Sequence, residues 1–203
     1  MRKLTVIEFI SLDGIIQAPG GPDEDTSGEF KYGGWVVPYF GEETLEAAME
    51  DQMSLQQCEL LLGRRTYEIF ASYWPQNADS WPGINEVRKF VASENPALEL
   101  EWQNSVLLGG NVAERIEKLK SDDGPDLHLW GSGNLVQTLL KHDLVDRLWL
   151  KIFPIILGQG KRLFADGIAS TKFTLTSSTV SPRGVIIASY DRAGAVQTGS
   201  FIE

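Results

Sequence analysis

The chain has 203 residues, 42% hydrophobic and 23% charged, with 28 acidic against 18 basic side chains and a formal net charge of −10. On average that balance repels a nucleic-acid backbone or an anionic membrane surface, so neither is expected as a partner, and any anionic ligand needs a local basic site. Cys58 is the only cysteine; this excludes an intrachain disulfide framework and a zinc site built from several thiolates, and it fits a reducing, cytoplasmic compartment.

The length suits one domain, 1–203, with a single sizeable core and no repeat or low-complexity tract. The first ten residues begin with Arg2 and Lys3 like a signal peptide, but Glu8 and then Asp13 interrupt the apolar stretch. They read as a strand. No apolar run approaches the ~20 residues of a membrane-spanning helix.

In chain order, runs rich in β-branched, aromatic and leucine residues predict strands at 4–10, 59–62, 89–92, 106–108, 127–130, 148–153, 173–179 and 185–190. Between the first two, Leu45, Ala48, Met49, Gln52 and Met53 recur at helical spacing and share one face. A short helix starts at Gly63-Arg64-Arg65. Asn111, followed three residues later by Glu114, caps another whose buried stripe is Val112, Ile116 and Leu119. A further helix follows Gly131-Ser132-Gly133 and buries Leu135, Val136, Leu139 and Leu140. Only the turn-forming Ser181-Pro182-Arg183-Gly184 separates the last two strands, so the sheet ends in an antiparallel hairpin. The expected fold is α/β: a mainly parallel central sheet of about eight strands, flanking helices and an antiparallel carboxyl-terminal edge.

Two strand-to-helix turns are candidate anion sites. At Gly63-Arg64-Arg65-Thr66 a helix amino terminus offers unpaired N–H groups and two guanidinium forks, which suits a phosphate; the alternative is a pair of solvated arginines. At Gly131-Ser132-Gly133, running into Leu135, the glycines allow close approach of a pyrophosphate, or simply make a tight turn. Both lie at carboxyl ends of parallel strands, and two such sites on one sheet favour a dinucleotide. Ser93, ending another strand, adds a hydroxyl to the same rim or serves as a turn residue.

Acid–base candidates are Asp13 and Glu46. Asp13 sits in Ser11-Leu12-Asp13-Gly14, ahead of a long Gly/Pro-punctuated loop able to close over a ligand, or else it accepts turn N–H groups. Glu46 borders the apolar face of its helix, while Asp51 points away from it. His128 and His142 have no partner at motif spacing, and Trp74 and Trp81 are candidate pocket lids.

Taken in order, Ser11-Leu12-Asp13-Gly14, Gly63-Arg64-Arg65-Thr66-Tyr67-Glu68, Trp130-Gly131-Ser132-Gly133 and Pro154-Ile155-Ile156-Leu157-Gly158-Gln159-Gly160-Lys161-Arg162-Leu163-Phe164 resemble the dihydrofolate reductase-like reductases related to the carboxyl-terminal domain of the bifunctional riboflavin-biosynthesis deaminase-reductase. The resemblance spans nearly the whole chain. It implies NADPH as cofactor, with Arg64, Arg65 and Thr66 at the adenosine phosphate, Ser93 by the adenosine, Gly131, Ser132 and Gly133 at the pyrophosphate, and Leu12, Asp13 and Gly14 near the nicotinamide. It further implies hydride transfer to a C=N or C=O of a small pterin, pyrimidine or sugar-derived substrate, similar to the phosphoribosylaminouracil reductase of riboflavin biosynthesis, and a homodimer. The other reading is a non-catalytic nucleotide-binding or regulatory module that keeps the fold. With one cysteine, no C-x-x-C and no H-x-E, the zinc deaminase chemistry and any metal site are absent from this expectation. The carboxylate that dihydrofolate reductases carry on the helix after the first loop falls near Ala47, adjacent to Glu46.

Overall fold

The computed structural model describes residues 1–201, so the last two residues of the expected 1–203 domain lie outside the description. Strand β1 (Leu4–Ser11) is buried along almost its whole length because both of its faces are covered. Leu4, Val6 and Ile10 pack on one side, and Ile7 joins Leu60, Leu62 and Trp130 on the other. Two-sided burial is what an inner parallel strand requires, and it explains a run that is apolar without alternation.

The chain continues through α1 (Glu43–Gln52), β2 (Cys58–Gly63), α2 (Arg64–Tyr73), β3 (Lys89–Ser93), β4 (Ser105–Gly109), α3 (Val112–Ser121), β5 (Asp126–Trp130), α4 (Gly133–Lys141), β6 (Arg147–Phe153), β7 (Phe173–Val180) and β8 (Ile186–Arg192). The eight strands form one sheet in the order β4-β3-β2-β5-β1-β6-β8-β7. From β4 to β6 every pairing is parallel; β8 runs antiparallel to both β6 and β7. The hairpin closes as expected at Ser181, whose N–H bonds Val185 O at 2.9 Å.

Helices α3 and α4 cover one face through Ile116, Leu135, Val136 and Leu139, while Tyr67 of α2 packs on the other with Trp81 and Ile84. Each fully buried Leu or Ile stabilises by roughly 1.5–3 kcal/mol. The Asn111 cap forms, its side chain accepting from Glu114 N at 3.4 Å. On α1, only Leu45 and Gln52 are fully buried. Gln52 goes inside because its carboxamide oxygen accepts from the ammonium of Lys151, itself fully buried on β6.

The topology fixes where a ligand goes. The chain steps outward from β1 to β2, β3 and β4, then returns to insert β5 between β2 and β1 before crossing to β6. A crevice opens beyond the carboxyl ends of the strands where the direction of winding reverses.

Candidate functional site

A cavity of about 1450 Å³ runs along that rim, reached by the middle of β1 and by the ends of β2, β3 and β5. Single-ligand sites commonly occupy ~300–1,000 Å³, so this one has room for a large cofactor together with a second molecule. Gly63, Arg64, Arg65, Thr66, Ser93, Gly131, Ser132, Gly133 and Leu135 all line it.

The turns after β2 and β5 are stapled to each other. Ser132 Oγ accepts from Gly63 N at 2.7 Å and donates to Thr66 Oγ1 at 2.8 Å. A Cβ on Gly63 would meet that Oγ at 2.8 Å, and one on Gly131 would meet Thr66 Oγ1 at 3.2 Å where φ is already +60°. Glycine is therefore demanded at both positions by close packing. Ser132 adopts the left-handed region itself, φ 71° and ψ 55°. For a non-glycine residue this costs of order 1 kcal/mol and persists because the two hydroxyl hydrogen bonds hold it.

Neither α2 nor α4 has a side-chain cap at its amino terminus, unlike α3. Their first-turn N–H groups are left to face the cavity with the positive ends of both helix dipoles. Arg64 pairs with Glu68 at 2.7 Å, and Arg65 approaches Asp25 at 3.9 Å; both guanidinium side chains are more than half exposed and able to swing toward an anion. Asp25 is also bound to Lys161 at 2.6 Å. Burial acts to raise the Asp25 carboxyl, but hydrogen bonds from Lys161 and Ser27 outweigh it and hold the group below its ordinary value.

The turn after β1 is built differently. Leu12 is 59% exposed, and Leu12, Asp13 and Gly14 do not line the cavity. Asp13 accepts from Ser11 Oγ at 2.6 Å and from the N–H groups of Leu157 and Gly158 at 3.2 and 2.8 Å. Ile16 N–H donates to Lys161 O at 2.9 Å, Leu163 N–H to Gly14 O at 2.9 Å, and Arg162 Nη1 to Asp13 O. The two motifs at 11–14 and 154–164 thus clasp each other, and the loop enters the cavity only further on, from Ile16 to Asp25.

Glu46 is exposed and outside the cavity, which corrects the expectation that it borders the buried side. The cavity is reached instead by Met49 of α1 and by Met53, just past its carboxyl end. The carboxylate at the cavity floor is Glu8, 3% exposed, in the middle of β1, with an Oε1 that finds no partner among the described residues. Burial pushes its carboxyl well above the usual range; the Lys151 ammonium opposes this and Glu24 adds to it. Burial likewise brings Lys151 down to about 7, against the pull of Glu8. The signal for Glu8 is present in the sequence: a lone carboxylate inside an inner apolar strand needs a special environment. Trp81, 1% exposed, is a wall of the cavity rather than a lid. His128 is half-buried and outside it, and burial lowers its pKa.

Known proteins match along most of the chain. The family model of the RibD C-terminal domain matches residues 2–187. An uncharacterized Bacillus subtilis (strain 168) protein, YyaP, is 29% identical over 192 residues, covering 91% of this chain and 92% of its own. Among solved structures, a putative riboflavin biosynthesis protein from Shewanella sp. PV-4 is 26% identical with a TM-score of 0.66, covering 94% of this chain and 99% of its own. Enterococcus faecalis dihydrofolate reductase, solved with NADP(H), shares the fold at 15% identity and a TM-score of 0.62, covering 94% of this chain and 96% of its own. A fold with the two stapled strand-end turns and a model match over nearly every residue has one reading: this chain belongs to the RibD C-terminal domain family of reductase-like domains.

Proposed function

We propose that the protein is an NADPH-dependent reductase acting on a C=N or C=O bond of a small pterin, pyrimidine or sugar-derived substrate. One observation carries this reading: two uncapped helix amino termini and an arginine pair open onto one cavity, locked in register by Ser132. Two anion sites joined this way suit the two phosphate-bearing ends of a dinucleotide better than a single phosphate. The residues present fit the group, since the amino termini of α2 and α4 carry no side-chain cap and Arg64 and Arg65 line the same cavity. Membership of the family and the likeness to a reductase solved with NADP(H) support the same cofactor.

In this reading Gly131, Ser132 and Gly133 hold the diphosphate, Arg64, Arg65 and Thr66 the adenosine 2′-phosphate, and Ser93 the adenosine side of the rim. When bound, NADPH supplies the hydride. The protein aligns the reactants, and its apolar walls exclude water. The complementary proton is assigned to Glu8, a cavity-lining carboxyl on the central strand β1 whose hold on a proton is raised by burial; Asp13 and Glu46 do not line the cavity.

Fluorescence titration with NADPH and NADH tests this reading. Wild-type protein binds NADPH more tightly than NADH, and Arg64→Ala and Arg65→Ala each reduce that preference about tenfold. Binding of neither nucleotide overturns the proposal. Equal affinity for both removes the 2′-phosphate role from the arginines. Saturable binding of NADPH with no oxidation against pterins, pyrimidine ribosides and quinones favours a regulatory nucleotide-binding module.

A further inference from the structure

We infer that the exposed face of the β6-β8-β7 edge is a homodimer interface, on which a second copy of this chain packs its own β6-β8-β7 face across a twofold axis.

The strand register sets Ile152, Ile186 and Val180 in one row across this part of the sheet and Leu148, Tyr190 and Leu175 in another, all on one face. Leu148 is buried, and Ile152 and Tyr190 are half-buried at the margin of the core that α4 covers, but Leu175, Val180 and Ile186 are 50%, 62% and 39% exposed. Leu12, whose N–H donates to Ile155 O at 2.8 Å, and Ile156 add two more exposed apolar side chains where β1 and β6 end. On the opposite face Ile187 packs against the cluster around Phe153. An antiparallel hairpin with one face on the core ordinarily turns polar residues to water on the other. Five large apolar side chains exposed in one region mark a surface that a partner covers.

Charge decides the occupant. Residues 152–160, 173–180 and 184–190 include no charged side chain, in a chain that is 23% charged with a net charge of −10. A basic partner is drawn to the acidic remainder of such a chain, whereas a second copy, equally acidic, approaches best where no like charges meet. A neutral sheet face provides that and is complementary to itself, since sheets stack face to face ~10 Å apart with strands within about 30° of each other, and a twofold pairing makes every contact twice. Three strands of seven or eight residues present roughly 400 Å² of flat face, which Leu12 and Ile156 extend toward the ~800 Å² per partner of a stable interface. Pairing along the edge is disfavoured: β7 ends the sheet, but a bulge between Leu175 and Ser177 breaks its ladder, and bulges blunt an edge against a further strand.

Sedimentation equilibrium tests the interface without any ligand, so the result is separate from that of the nucleotide titration. At about 50 μM, where a dimer with a Kd of ~1 μM is nearly all formed, wild-type protein sediments at twice the chain mass. The double variant Leu175→Lys with Val180→Lys brings like charges together across the axis and weakens the dimer at least about 100-fold. Both side chains are half or more exposed in the single chain, so the circular dichroism of the variant matches that of wild type. Val106→Lys, at an exposed position on β4 at the far edge of the sheet, leaves the dimer intact. A monomeric wild type, a double variant that stays dimeric, as edge-to-edge pairing would allow, or dissociation by Val106→Lys overturns the inference.

Discussion

Among the described residues, the turns that follow β2 and β5 leave the amino termini of α2 and α4 without a side-chain cap, whereas the turn that follows β1 consumes its own N–H groups. In the first pair, one serine hydroxyl ties Gly63 to Thr66 across the sheet's crevice and leaves two helix amino termini uncapped. In the second, Asp13 and the carbonyls around it are saturated by the segment 155–163. Both regions are glycine-rich, polar and at strand ends. What separates a binding turn from a fastening turn is whether its hydrogen-bonding groups are already satisfied.

Substitutions can break that contrast. The largest effect is expected from Gly131→Val, which forces a β-branched residue into φ +60° against Thr66. It should cost about 3 kcal/mol in denaturant unfolding and abolish NADPH binding. Ser132→Ala leaves Gly63 N–H without its acceptor and should cost about 1–2 kcal/mol while weakening NADPH several-fold in the same titration.

Asp13→Asn is the control from the other region. It should cost about 1 kcal/mol, at the low end for a charged acceptor because solvent screens its exposed side, with NADPH affinity held within about twofold. Burial acts to raise the Asp13 carboxyl, but hydrogen bonds from Ser11, Leu157 and Gly158 outweigh it, so the folded group titrates below its ordinary value. A lowered folded pKa means that the stabilisation is complete above the unfolded value near ~3.9 and is lost as pH falls through the folded one. Thermal melts of wild type and Asp13→Asn should therefore differ at pH ~6 and converge toward pH ~2. The smallest stability change belongs to Arg64→Ala. Its exposed pair with Glu68 contributes roughly 0.3–0.5 kcal/mol, so melting should hardly move while the NADPH preference falls.

The parallel sheet and its hairpin were legible because inner strands lack polar alternation and because only a turn separates the last two. The stapled turns were legible as glycine next to a helix start. The clasp was not, because Asp13 and Gly158 are 145 positions apart and nothing local distinguishes an aspartate that binds turn amides from one that faces a ligand. Glu46 failed for a related reason: helical spacing places it beside the apolar stripe, but α1 buries little more than Leu45 and Gln52, so bordering the stripe does not mean reaching the cavity. Glu8 and Lys151 were visible as charges inside apolar strands. Their influence on each other depends on β1 and β6 being neighbours, which only the sheet order supplies.

Amide NMR during an NADPH titration shows whether a dinucleotide lies between the amino termini of α2 and α4. Large shifts are expected for the N–H groups of Arg65, Thr66, Gly133 and Asn134 and small ones for Gly14, Leu157 and Gly158. Shifts concentrated at Gly14, Leu157 and Gly158, with the α2 and α4 termini unmoved, would contradict it.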